Sequence, residues 1–416
     1  MSNKCPNKIV ENSVSSNNID RQKQDNRGGN PKVSLFRGDE DLLKGREGGE
    51  EQINKIKSTL SDLFNIKNLN FLFGAGTSSE EIPTMQELQK IVIGQLDESE
   101  RAVFDKNHDK NLEEILEILY SGKTYLKNNL KDQDVRELEV LEGLISKIEE
   151  TIFAEINIEI NIESGVFQSY EKFYKKIAHR NKDLNRVNVF TTNNDLFNEH
   201  VLDYLNIDYN NGFGGGLSRT FNPARFEYIF SRKIDEGIEK YEPLSHMVYL
   251  YKLHGSINWV ETQNRNSFFN IEEIYLDSKS QKPEEKCLIY PTPLKEGKSL
   301  TSPYTDLIRE FQKKISLPNS VLFIIGYSFS DEHINTIIYR TLASSATFSV
   351  VIFADQEKQK QMPLFKIGDK RIYKIGGDNS GEKIHYFKYF VENFIPEPRQ
   401  NDMDEICKSF IKSLKE

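Results

Sequence analysis

An apolar run that stops at a glycine turn and is followed by a helix start constrains this chain more than any other feature. Asn70-Phe71-Leu72-Phe73 reads as a buried strand. Gly74-Ala75-Gly76-Thr77-Ser78 reads as the turn that ends it. Thr84-Met85-Gln86-Glu87 is a capping box opening a helix to about Gly94. Strand, glycine turn and helix together open a doubly wound α/β domain.

The rest of the chain fits that opening. Strand-like runs occur at Val187 to Phe190, Met247 to Leu253, Cys287 to Tyr290, Val321 to Ile325 and Phe348 to Phe353. Helical patterns follow at Asp195 to Leu205, Pro303 to Ile315 and Asp331 to Leu342. Short apolar runs alternating with helices predict an α/β fold with a doubly wound, mostly parallel Rossmann-like sheet. Residues 98–180 differ: leucines and isoleucines repeat at helical spacing, with a short alternating stretch near Ile156 to Ile162. The predicted organisation is a flexible tail (1–50), the start of the sheet domain (51–97), a helical insertion (98–180), the remainder of the domain (181–395) and a C-terminal helix (396–416). Within the tail, Val33-Ser34-Leu35-Phe36 is the one segment fit to dock on something. The insertion's stripes exceed what one sheet face needs. They predict burial against a neighbouring subunit or partner, with Leu116 and Ile148 among the exposed members. The alternative is that the helices pack locally as a lid.

Composition narrows the function classes. The 416 residues carry 55 Lys+Arg against 64 Asp+Glu, a formal charge of −9. That balance gives no pull toward nucleic acid, and no basic run is dense enough to supply one. The three cysteines, Cys5, Cys287 and Cys407, stand far apart with no paired spacing. A structural zinc site needs four clustered ligands, so no zinc module and no metal are expected. An odd, sparse cysteine count also argues against a secreted disulfide framework. No run of about 18 apolar residues and no apolar N-terminal signal core are present, so a soluble, cytoplasmic chain is expected.

Four motifs sit where predicted strands end, which is where ligands bind in open α/β sheets. Gly74-Ala75-Gly76-Thr77-Ser78 can bring backbone and hydroxyls close to a phosphate, or be only a tight turn. Thr191-Thr192-Asn193-Asn194-Asp195 can orient a ribose through Asn193, or simply cap the next helix. Lys252-Leu253-His254-Gly255-Ser256 places a histidine for acid–base work, although a lone histidine is more often structural. Gly326-Tyr327-Ser328-Phe329-Ser330-Asp331 can meet a phosphate or ribose, with Ser330 or Asp331 as a helix cap.

As a set, in this order, these motifs resemble the sirtuin family. Thr192-Asn193-Asn194-Asp195 stands where that family has Gln-Asn-x-Asp. The flanking runs are similar to a bacterial defence-associated branch: Leu253-His254-Gly255-Ser256-Ile257-Asn258-Trp259, Ile325 to Asp331, Asn211-Gly212-Phe213 and Phe221-Asn222-Pro223. The likeness spans roughly residues 65 to 355, interrupted by the insertion. It implies that Gly74, Ala75, Gly76, Thr77 and Ser78 cradle the pyrophosphate of NAD. It implies that Asn193 holds the nicotinamide ribose and that Thr192 and Asp195 belong to the nicotinamide side. His254 would be the general base. Gly326 and Ser328 would face the adenosine, and Asp355 its ribose.

Two departures stand out: the paired-cysteine zinc module is absent, and Thr192 replaces the longer Gln. Both point away from protein deacetylation and toward hydrolysis of NAD, with NAD as substrate. The branch further implies antiphage defence by NAD depletion, a homo-oligomer and a HerA-type hexameric ATPase as partner. The competing readings are a NAD-dependent protein deacylase or ADP-ribosyltransferase, and a non-catalytic module that binds NAD or ADP-ribose.

Overall fold

The computed structural model describes residues 32–46, 48–107, 110, 112–129, 135–178, 180, 183–235, 239–262, 270–277, 280, 286–288, 302–355, 362–397 and 413. The chain forms β1 (Lys32–Arg37), β2 (Glu40–Asp41), α1 (Gly49–Phe64) and β3 (Asn68–Phe73). Helices α2 (Met85–Gln95), α3 (Glu98–Phe104), α4 (Leu112–Asn128), α5 (Val135–Ile156) and α6 (Gly165–Ile177) come next. Then follow β4 (Val187–Thr191), α7 (Phe197–Tyr204), β5 (Asp208–Asn210), β6 (Phe213–Gly214), β7 (Arg219–Phe221), β8 (Ser231–Asp235), β9 (Lys240–Pro243) and β10 (Met247–Lys252). The remaining elements are β11 (Gly255–Glu261), β12 (Ile271–Glu273), β13 (Lys286–Leu288), α8 (Tyr304–Ile315), β14 (Ser320–Ile325), α9 (Glu332–Ser344), β15 (Phe348–Phe353), β16 (Ile372–Asn379), β17 (Glu382–Lys383) and α10 (Phe387–Asn393).

The main sheet runs β2-β1-β16-β15-β14-β3-β4-β10-β5, with β17 on β16. Every pair from β16 across to β5 is parallel. Counted in chain order from β3, the six central strands lie 3-2-1-4-5-6, the order of a doubly wound dinucleotide-binding sheet. The winding reverses between β3 and β14. This is the expected α/β fold. Its central strands are apolar on both faces because helices cover both. Phe71, Phe73 and Phe323 pack under α1, α6 and α10. Leu72, Leu322 and Ile324 pack under α8 and α9. The predicted capping box starts α2, with the Thr84 and Glu87 side chains and backbones bonded reciprocally.

Several expectations need correction. The tail boundary at residue 50 fails, because β1 pairs antiparallel with β16 and Leu35 is fully buried. The Val33–Phe36 segment therefore docks on the chain's own sheet. Its alternating pattern was too short to read as an edge strand. The boundary at 180 also fails: Phe167, Tyr170, Phe173 and Tyr174 of α6 pack on the sheet, so α6 is the crossover into β4. Cys287 falls in β13, which joins the antiparallel sheet β13-β11-β12-β7-β6 rather than the parallel one. A short apolar run carries no mark of which sheet it will enter. The expected helix at 396–416 lies outside the described residues except for residues 396, 397 and 413.

The insertion's stripes are core. Leu116 and Ile148 are 1% and 0% exposed. They join Leu88, Val92, Phe104 and Leu144 in a cluster that reaches Leu196 and Ile257 beside the site described below. Local packing, not an interface, is what buries them. Leu116→Ala and Ile148→Ala should each cost about 2–5 kcal/mol, the range for a buried large-to-small change. Denaturant midpoints measure it; a loss under about 1 kcal/mol would show that these residues are not core. Among the described residues, no helix is long and apolar enough to cross a membrane.

Candidate functional site

All four predicted motifs reach the carboxyl edge of the parallel strands. Gly74 follows β3, Thr192 follows β4, His254 lies two residues past β10, Gly326 follows β14 and Asp355 lies two residues past β15. Sheet order makes these ends neighbours although up to 281 residues separate Gly74 from Asp355 in sequence (355 − 74).

The glycines of the two turns press against each other. The Gly74 amide donates to the Ile325 carbonyl (3.1 Å) and the Gly76 amide to the Gly326 carbonyl (2.9 Å). A Cβ on Gly74 would lie 2.5 Å from Tyr327 Cα, and one on Gly76 2.7 Å from Gly326 Cα. Gly326 has φ +66° and its own missing Cβ would meet Thr77 N at 2.7 Å. These glycines let two strand-end turns touch across the winding reversal, and the space a side chain would need is filled by the other turn. A cleft lies beside them. Ala75, Gly76, Thr77, Gly326, Ser328 and Asp355 line this cleft of about 1140 Å³, larger than the ~300–1,000 Å³ of ordinary small-molecule sites.

The remaining predicted residues gather behind Thr77. Thr77 Oγ1 donates to the Gly74 carbonyl (2.9 Å) and accepts from Asn193 Nδ2 (3.1 Å) and Tyr170 OH (2.7 Å). Ser78 Oγ donates to Asp195 Oδ2 (2.9 Å) and accepts from Asn193 Nδ2 (3.3 Å). Asp195 Oδ1 accepts the amide of Phe197, the first residue of α7 (3.1 Å). Burial pushes the Asp195 carboxyl above its ordinary range, and the Lys252 ammonium opposes that shift. Burial likewise holds the Tyr170 phenol well above its usual value. Thr192 turns its hydroxyl and amide to the Phe73 carbonyl (3.4 and 3.0 Å), latching β4's end to β3. Among the described residues, Thr77 is the member common to this network and the cleft wall. A second cavity of about 240 Å³ borders Asp195, Leu196, His200 and Ile257.

His254 is part-buried, with Nε2 2.9 Å from Asp331 Oδ2. Asp331 Oδ1 meanwhile accepts the amides of His333 and Ile334 at the start of α9 (2.9 and 3.1 Å). One carboxylate thus caps a helix and fixes an imidazole, the arrangement that orients a base. The cap was legible in sequence; the second bond was not, since 77 residues separate the two. Phe329 has φ +60°, unusual for a bulky residue, and its carbonyl is held by Asn335 Nδ2 (2.8 Å). Ser328 and Ser330 bond each other (2.8 Å) on the exposed side. Sequence reasoning missed Asp331 as orienter, Tyr170 and Lys252. A carboxylate at the β14 end, across the winding reversal, was the available signal for the first. Tyr170 looks like any core aromatic on a helix.

No curated protein matches the chain. Among solved structures, a Sir2 homologue in complex with NAD is 15% identical with TM-score 0.39, covering 80% of this chain and 91% of that one. A Sir2 homologue variant with ADP-ribose is 13% identical with TM-score 0.37, covering 82% and 96%. Scores that low carry no weight for activity; the fold stands on the sheet order above. Residues 187–366, from β4 to just past Pro363, match the family model of the SIR2-like domain, and β3 with its glycine turn lies ahead of that match.

Proposed function

We propose that this chain hydrolyses NAD to nicotinamide and ADP-ribose. The observation that carries the reading is the His254–Asp331 pair standing at the same sheet edge as buried Asn193; the large cleft at the winding reversal opens at that edge too, with Thr77 and Glu332 on its wall and neither His254 nor Asn193 lining it. The cleft has the volume for a dinucleotide, with Thr77 and the exposed hydroxyl of Ser328 on its wall. The cavity of about 240 Å³ against Asp195 exceeds the ~150 Å³ that accommodates a benzene-sized ring, which suits nicotinamide.

The nicotinamide–ribose bond is activated by the positive ring. On cleavage its electron pair stays with nicotinamide, leaving an oxocarbenium-like ribose. Water adds to that carbon, and His254 accepts the proton released. Asp331 stabilises the imidazolium that forms, and Asn193 orients the ribose. Depletion of NAD in antiphage defence, a homo-oligomeric state and a HerA-type hexameric ATPase partner complete the proposal, on the motif resemblance alone.

The test is incubation with NAD, following nicotinamide and ADP-ribose with and without an acyl peptide. Peptide-independent release of both is expected. Release only with peptide would point to deacylation. ADP-ribose binding without any release would leave a binding module.

A further inference from the structure

A buried ammonium lies under both proposed catalytic residues. Lys252 ends β10, and its side chain is 0% exposed. Its Nζ donates to the carbonyl oxygens of Asp195 and Asn194, the latter at 3.3 Å, and to Ser256 Oγ at 2.8 Å. The Glu199 carboxylate, 8% exposed, lies 3.0 Å away and balances the charge. The carbonyls belong to the loop that carries Asn193, and Ser256 to the start of β11, directly after the turn that carries His254. Two further bonds join the same pieces: Asn194 Nδ2 donates to the His254 carbonyl (2.8 Å), and the Ile257 amide to the Asn194 carbonyl (3.1 Å).

We infer that Lys252 is a positioning residue that fixes the Asn193 loop and the His254 turn in one geometry. An apolar residue would suit a strand buried on both faces better, and a buried charge is costly unless it is fully engaged. Here the ammonium's three donors all go to the two site segments and none to solvent. Lysine supplies a compact charge with freely turned donors. The flat, wider guanidinium of arginine does not suit a fully enclosed site. Lys252 touches neither the cleft wall nor the His254 ring in the described contacts, so it acts through the backbone. The consequence for catalysis rests on the reading of the site as a NAD hydrolase; the tie between the loops does not.

Lys252→Met alone leaves Glu199 as an unbalanced buried charge and is prone to misfold. The informative variant is the double Lys252→Met/Glu199→Gln, which keeps the volume and removes both charges. Two readouts are taken on the full chain. Amide hydrogen exchange at residues 192–196 and 253–257 should speed up at least tenfold, with α4 and α5 unchanged. With NAD, kcat should fall by about 100-fold, the scale for roughly 1 Å of misplacement, with KM within about threefold. Unchanged exchange in those two segments overturns the inference, whatever the activity. Faster exchange with parent kcat overturns the catalytic part. If the parent releases no nicotinamide, the hydrolase reading falls, and the exchange measurement still decides whether Lys252 ties the loops.

Discussion

His254→Ala is expected to lower nicotinamide release by ~10²–10⁴-fold, the usual contribution of a positioned general base. The imidazole is the only part removed. Its carbonyl, which Asn194 holds, is backbone and stays. Asp331 keeps its cap on α9 through the other oxygen. The variant should therefore fold with a thermal midpoint near that of the parent. Asn193→Ala should also abolish release, with a larger structural effect. Asn193 is 7% exposed and donates to both Thr77 and Ser78. Removing a buried donor of that kind costs about 1–3 kcal/mol. Each variant is checked by circular dichroism and by the rate of nicotinamide appearance. Two folded variants that still work at the parent rate would falsify the assignment of both residues.

Strand ends were the legible part of this chain. Phe71–Phe73, Val321–Ile325 and Val350–Phe353 are continuous apolar runs because both faces are covered; the first two are followed by glycine and the third by Ala354-Asp355. That pattern survives in a single sequence because burial and turn chemistry are local properties. The sheet's order is not local, and it decides which ends touch. The His254–Asp331 bond, the Gly74–Tyr327 approach and the Lys252 ties could not be read for that reason. The exposed character assigned to Leu116 and Ile148 failed differently. Helical spacing identifies an apolar face but not what covers it, and here α2, α4 and α5 cover one another. β1 was lost because a six-residue strand of mixed polarity resembles polar tail by composition.

The second large effect is expected at Gly326. Alanine there would hold a side chain at φ +66°, a left-handed conformation that costs about 1–2 kcal/mol in an L-residue. Its Cβ would lie 2.7 Å from Thr77 N and 2.8 Å from Gly76 C, both backbone atoms that cannot rotate away. Overpacking of this kind adds roughly 1–3 kcal/mol. Gly326→Ala should thus lose about 2–5 kcal/mol in total, read from denaturant midpoints. Activity should fall further than stability alone implies. The turn must move off Gly76, and Thr77 moves with it, breaking the link between the cleft wall and Asn193. Gly216→Ala is the control, since nothing lies within 4 Å of its added Cβ. Parent-like stability in Gly326→Ala would mean the two turns are not pressed together as described.

β1 also imposes a schedule on the chain's synthesis. Ser34 Oγ bonds the Gly376 carbonyl, 342 residues later, and even the innermost strand waits, since Asn70 meets Val321 251 residues on. At translation rates of about 5–20 residues per second, β1 emerges roughly 20–70 s before its partner. Throughout that interval Leu35 and an unpaired strand edge stand open to the cell, the condition under which nascent chains stick to one another. Final assembly is therefore an event that follows release of the β16 region from the ribosome. A product ending before Ile372 would carry intact glycine turns and still lack the strand that seals its sheet.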